Sequence, residues 1–87
     1  MAVLHVVNRP SALASCLGAS SADDVVLLIE DGVYAGVSAE LGREFLAIDV
    51  DVRARGLAKR MSEQVTVVTY ADFVRLAEVN SPIVTWR

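Results

Sequence analysis

This chain of 87 residues has a single cysteine, Cys16, and a single histidine, His5. One cysteine excludes an internal disulfide, and one cysteine with one histidine does not make a zinc ligand set. The chain also lacks the glycine-rich loops that bind phosphates and the G-x-S-x-G turn of serine hydrolases. We therefore expect no metal and no cofactor. His5 lies inside an apolar run, and we interpret it as a core or interface histidine with satisfied hydrogen bonds.

Positive charge and long apolar runs are also scarce. The net charge is −3, which disfavours broad binding to nucleic acids or anionic membranes. The apolar runs are far shorter than the roughly 20 residues that a membrane span needs. The beginning, MAVLHVV, lacks the basic region and cleavage signature of a signal peptide. We expect a cytoplasmic protein with no direct nucleic-acid partner and no membrane partner.

Apolar residues, by contrast, are abundant and make up 54% of the chain. A domain of this size buries only about 60% of the surface that its unfolded chain exposes. We therefore expect residues 1–87 to form one domain whose surplus apolar surface packs against other subunits. An oligomeric protein is predicted.

Apolar runs alternate with short helical segments along the chain. Strands are predicted at 2–7, 25–30, 44–49, 65–70 and 81–86, and helices at 11–18, 33–37, 50–56 and 70–80. Apolar runs without alternation indicate strands that are buried on both faces. The order predicts an α/β fold, a single three-layer α/β/α domain with a mostly parallel sheet of four or five strands. Ser11 and Asp31 are predicted N-caps, and Thr69 with Asp72 predicts a capping box.

Polar residues end the predicted strands, namely Asn8, Glu30–Asp31, Asp49 and Thr69–Tyr70. Functional groups gather at the carboxyl ends of parallel strands, so these residues either form a site or simply end strands and cap helices. The segment 53–60, RARGLAKR, holds half of the positive charges. It is either a patch for an anion or acidic partner, or a solvated helix end with well-placed cations.

Cys16 lies about five residues into the first predicted helix, beyond the turn where a helix N-terminus lowers a thiol pKa most. Arg9 is the nearest cation along the chain. Free cysteine is among the most buried residue types. From these residues alone, Cys16 is either a packing residue or a reactive thiol.

Five motifs in order resemble one family. They are LHVVNRP (4–10), LLIEDGVYA (27–35), DVRARGL (51–57), YADFVRL (70–76) and VTW (84–86). Together they cover nearly the whole chain and are similar to the TusB/DsrH family. The resemblance implies a DsrE-like fold, with residues 1–87 as a single TusB/DsrH-like domain. The chain is shorter than the family between the second and third motifs, so we expect a shortened second helix and loop.

The resemblance also implies a function and partners. Members of this family are subunits of intracellular sulfur-relay complexes, which are persulfide sulfurtransferases with two copies of each subunit. Their partners are TusC and TusD or DsrE and DsrF, with a sulfur-carrier protein of TusE or DsrC type. The complexes serve 2-thiolation of the tRNA wobble uridine or bacterial sulfur oxidation. The principal persulfide cysteine belongs to the TusD or DsrE subunit.

The same resemblance makes Cys16 the candidate catalytic residue. The SCL sequence at 15–17 matches a first-helix cysteine of DsrH-type members, so Cys16 is a candidate secondary persulfide carrier. The alternative is a non-catalytic structural subunit in which Cys16 packs the core. A third interpretation is a homo-oligomer that acts outside a relay.

Overall fold

The computed structural model describes residues 2–37 and 42–87. Its strands are β1 (Leu4–Val7), β2 (Val25–Leu28), β3 (Phe45–Ile48), β4 (Val65–Val68) and β5 (Ile83–Trp86). Its α-helices are α1 (Leu13–Ala19), α2 (Asp49–Ala54) and α3 (Tyr70–Val79). Two 3-10 helices span Pro10–Ala12 and Glu30–Val37. Each predicted strand range contains one observed strand.

The five strands form one sheet in the order β4-β3-β2-β1-β5. Every neighbouring pair is parallel, which confirms the predicted α/β fold with a parallel sheet. β1 and β2 lie inside the sheet, and nearly all of their side chains are buried. Their apolar runs lack alternation because a helical layer covers each face of the sheet.

A first core lies between the sheet and the helical segments that follow β1, β2 and β3. Its buried members are Val7, Ala12, Cys16, Val26, Leu28, Val33, Phe45, Ala47, Val52 and Leu57. A second core lies on the other face of the sheet, and its buried members are Leu4, Val6, Leu27 and Ile48. Successive strand residues alternate between the two cores, as a strand's period of two requires. This arrangement is the predicted three-layer α/β/α architecture.

Helix α3 is the helix that packs on the second core. Phe73, Leu76 and Ala77 of α3 lie against that core, and no residue of α3 is fully buried. The predicted capping box is confirmed, because the Thr69 side chain accepts from the Asp72 backbone N–H while the Asp72 carboxylate accepts from the Thr69 N–H. The capping box holds the start of α3.

Two predicted helix caps are wrong. Ser11 lies within the 3-10 turn that Pro10 begins, and α1 starts only at Leu13 without a side-chain cap. The helical segment after β2 already begins at Glu30, so Asp31 lies inside it rather than before it. This segment is a 3-10 helix. The shortened loop that we expect after it falls partly on residues 38–41, which lie outside the described residues.

Candidate functional site

The structure places Cys16 inside the first core with 0% of its surface exposed. Ala12 lies one turn earlier on the same face, and it is also buried in this core. Burial raises the pKa of the Cys16 thiol above its ordinary value of 9.0, and the positive charge of Arg43 offsets part of this effect. The thiolate is therefore a minor form at neutral pH, and only the thiolate is nucleophilic.

The cation that acts on Cys16 is Arg43, which the sequence did not single out. Its Nη1 donates to Ser20 Oγ at 3.2 Å and to the Ser21 carbonyl at 3.3 Å. Its Nη2 donates to the Asp24 carbonyl at 2.5 Å. These contacts tie the segment just before β3 to the turn after α1. They link residues that are 19 to 23 positions apart in the sequence. Local sequence motifs do not predict contacts at this separation.

His5 belongs to a buried chain of hydrogen bonds with Asp24 and Trp86. Trp86 Nε1 donates to His5 Nδ1 at 3.0 Å, and His5 Nε2 lies 2.8 Å from Asp24 Oδ2. Indole nitrogen is only a donor. His5 Nδ1 must therefore accept, so the His5 proton is on Nε2 and is donated to Asp24. Both ring nitrogens are occupied, which confirms the interpretation of His5 as a satisfied core histidine.

The Asp24 carboxylate accepts several of the hydrogen bonds in this part of the fold. It accepts from the backbone N–H groups of Val3 at 3.0 Å and Ser21 at 3.1 Å in addition to His5. These bonds, with that from His5 the largest, hold the pKa of Asp24 well below its usual range. Asp24 directly precedes β2, so its carboxylate lies at the amino side of the sheet, away from the predicted carboxyl-end site.

At the carboxyl ends, charged residues of neighbouring segments do come together. Arg55 Nε donates to Asp31 Oδ1 at 3.0 Å, and Arg55 Nη1 lies 3.5 Å from Asp51 Oδ1. Asp51 Oδ2 accepts from the Glu30 N–H at 2.8 Å. The 3-10 helix after β2 is therefore bound to α2. Thr69 belongs instead to the separate α3 capping box.

Two of the cations in the basic segment 53–60 form ion pairs with carboxylates of the fold. Arg53 lies 3.3 Å from Asp49, one turn earlier in α2, and Arg55 is held between Asp31 and Asp51. These two cations neutralise local carboxylates, which favours the interpretation of a charged helix end over that of an open anion site.

The structure explains why the E-D-G sequence at 30–32 has a glycine at position 32. A Cβ at Gly32 would lie 2.1 Å from the Val7 carbonyl oxygen and 2.9 Å from its carbon. Only glycine lets the 3-10 helix pass this close to the end of β1. Glu30, which begins that helix, has a left-handed φ of 49°. The motif therefore turns the chain sharply at the end of β2 and brings Val33 into the first core.

Large apolar side chains remain at the surface of the part of the chain that the structure describes. They are Tyr34, Val50, Val67, Tyr70, Val74, Val79 and Ile83. Four of the seven lie on α3 or at the start of β5. None of the helices in residues 2–37 and 42–87 is both long enough and apolar enough to span a membrane.

Comparison with known proteins identifies one family over most of this chain. The family described as "DsrH like protein" matches residues 8–82. Protein TusB of Escherichia coli (strain SMS-3-5 / SECEC) is 36% identical over 95 residues, which covers 97% of this chain and all of the relative. Protein TusB of Sodalis glossinidius (strain morsitans) is 35% identical over 82 residues, covering 85% of this chain and 86% of the relative. Protein TusB of Serratia proteamaculans (strain 568) is 34% identical with the same coverage.

Proposed function

Because the chain belongs to the DsrH-like protein family, we propose that it is a subunit of a sulfur-relay complex that serves tRNA thiolation. Relatives named TusB match it along nearly its whole length, which supports the tRNA branch of the family. Sulfur oxidation is the other branch, and the SCL sequence at 15–17 favours it. We further propose that residues 1–87 act as one domain and that the complex is cytoplasmic.

The partners in this proposal are TusC- and TusD-like subunits, or DsrE- and DsrF-like subunits in the oxidation branch. A sulfur carrier of TusE or DsrC type would exchange sulfur with the complex. The exposed apolar side chains on α3, β4 and β5 support an assembly with other chains, since such patches mark partner surfaces.

The burial of Cys16 is the observation that carries our assignment within the complex. A persulfide carrier must meet a donor and an acceptor at its sulfur atom, and Cys16 is 0% exposed with a raised pKa. We therefore propose a structural role, in which this chain supplies interface and Cys16 packs the first core. The persulfide chemistry belongs to a partner subunit.

A carrier role for Cys16 is the second candidate, favoured by the matched SCL sequence and by the charge of Arg43. The Cys16 thiolate would attack the terminal sulfur of a donor persulfide. A new S–S bond would form at Cys16, the donor's S–S bond would break, and the donor would leave as a thiolate. This step requires α1 to move away from the sheet, since the sulfur atom is otherwise enclosed.

The function is tested by rebuilding the relay from this chain, its partner subunits, a persulfide donor and the sulfur carrier. We expect that omitting this chain abolishes sulfur delivery to the carrier, because the complex no longer assembles. Delivery at an unchanged rate without this chain would contradict the proposal. Loss of 2-thiouridine from tRNA in a deletion strain, against unchanged growth on reduced sulfur compounds, would assign the tRNA branch.

Mass spectrometry of the same mixture separates the two roles of Cys16. A carrier gains one sulfur atom, about 32 Da, on the peptide that contains Cys16. The structural role predicts no such adduct in the assembled complex, while the partner's cysteine carries it. An adduct on Cys16 that the sulfur carrier removes would establish the second candidate.

A further inference from the structure

The single histidine and the single tryptophan of the chain, His5 and Trp86, lie side by side on neighbouring strands. His5 pairs with Val84 across β1 and β5. Trp86 lies two residues beyond Val84, so its ring is on the same face of the sheet as the imidazole. The two ring centroids are 6.1 Å apart. His5 is 4% exposed, and its ring therefore links β5 to the turn before β2 in a nearly dry setting.

The contact between these two rings fits only the neutral imidazole. The indole nitrogen of Trp86 can only donate, and His5 Nδ1 accepts from it at 3.0 Å. In an imidazolium ion both ring nitrogens carry a proton. Protonation of His5 therefore sets its Nδ1–H against the Nε1–H of Trp86, two donors without an acceptor between them. Turning the ring over does not remove this conflict, because each nitrogen of an imidazolium is a donor.

The contact on the other side of the ring, by contrast, fits the protonated form as well. His5 Nε2 lies 2.8 Å from Asp24 Oδ2. Hydrogen bonds, with that from His5 the largest, hold the pKa of Asp24 well below its usual range. Asp24 is therefore a carboxylate between about pH 5 and 8, where imidazole titrates. A carboxylate in contact with an imidazolium stabilises it, so protonated His5 stays bound to Asp24 and the bond to Trp86 is the one that breaks.

The other charged and titratable groups near this corner are few. The strands β2 and β5, which flank β1, contain no charged residue, and Cys16 is the titratable residue of α1. Arg43 donates to the Asp24 carbonyl, and its charge opposes a second cation nearby. Arg87 directly follows β5, and alternation places it on the opposite face of the sheet. Asp24 is the group in direct contact with His5, so its charge has the largest effect.

We propose that protonation of His5 releases the Trp86 indole, which makes this pair a pH-sensitive switch at the β5 edge of the sheet. The backbone of β5 is held independently of the indole. The N–H of Leu4 donates to the Pro82 carbonyl at 3.1 Å, and the N–H of Asn8 donates to the Trp86 carbonyl at 3.2 Å. β5 is an edge strand, and Trp86 is half-buried against the first core. The indole therefore turns into solvent while β5 stays paired with β1.

The test is a titration of the purified full chain between about pH 8 and about pH 5. One imidazole and one indole give NMR signals that need no further assignment. We expect the ring signals of His5 and the Nε1–H signal of Trp86 to shift with one common midpoint. The constant for quenching of Trp86 fluorescence by acrylamide should rise at least about twofold over the same range, because local release exposes the indole. Far-UV circular dichroism should stay unchanged, since the fold is retained.

His5→Gln is the matched variant. Its side-chain oxygen can accept from the Trp86 indole and its amide can donate to Asp24, but glutamine does not titrate. Quenching of Trp86 in this variant should not change between about pH 8 and about pH 5. The NMR titration of the natural chain decides the proposal even if this variant does not fold.

Three results would each overturn the proposal. In the first, His5 takes up a proton while the Trp86 Nε1–H signal and the quenching constant stay unchanged. In the second, His5 stays neutral until the whole chain unfolds. In the third, the pH-dependent quenching persists in folded His5→Gln. Relay partners are absent from this experiment, so its outcome is independent of the proposed relay function.

Discussion

Gly32→Ala is predicted to destabilise the fold strongly, and the size of the effect follows from one contact. The added Cβ would lie 2.1 Å from the Val7 carbonyl oxygen, about 1 Å closer than such atoms approach. The φ of Gly32 is not left-handed, so the cost is steric. The atom that it meets belongs to the backbone of β1 and cannot rotate away.

Overpacking of this kind costs about 3 kcal/mol, at the upper end of its usual range. The midpoint of thermal unfolding should fall by about 12–24 °C for a domain of this size. Circular dichroism during heating measures it. Gly18→Ala is the matched control, since Gly18 lies in α1 with nothing within 4 Å of an added Cβ. This control should stabilise by up to about 1 kcal/mol. A Gly32→Ala midpoint within about 2 °C of the natural chain would refute the steric argument.

Three other substitutions test the contacts that hold the fold. Thr69→Ala removes the capping box of α3 and should cost about 1 kcal/mol in urea unfolding, whereas Thr69→Ser should keep most of it. Trp86→Phe leaves His5 Nδ1 buried without a donor and should cost about 1–3 kcal/mol; no measurable change would mean that this hydrogen bond is absent in solution. The folded pKa of Asp24 lies below its unfolded value, so the carboxylate stabilises the fold above about pH 4 and this contribution is lost as pH falls further. Asp24→Asn should therefore flatten the decline of the urea midpoint on acidification, and an unchanged decline would contradict the role of Asp24.

The parallel sheet could be predicted from the chain because its signals are local. The run VVLLIE at 25–30 has no alternation, and strands of that kind are buried on both faces of α/β sheets. The Thr69 and Asp72 pair is another local signal, since both capping bonds form within four residues. The predicted strand ranges and the α3 capping box were correct for these reasons.

Contacts between distant segments could not be predicted in this way. His5 and Trp86 lie 81 residues apart, and Arg43 reaches Ser20 across 23 residues. The burial of Cys16 could not be predicted either, because it depends on which face of α1 packs on the sheet. The spacing of the residues in α1 would suit an exposed position for Cys16 equally well. The cap at Ser11 was wrong since Pro10 begins a 3-10 turn before α1 starts. The helix propensities of the residues alone do not predict where the 3-10 turn ends and α1 begins.

The measurement that tests the account most directly is the rate of sulfur delivery by the relay complex rebuilt with Cys16→Ala. Alanine keeps a small apolar side chain in the first core and removes the thiol, so the complex should still assemble. If the chain is a structural subunit, delivery to the sulfur carrier proceeds at the rate of the natural complex. An assembled complex that has lost delivery would contradict this account and make Cys16 a persulfide carrier.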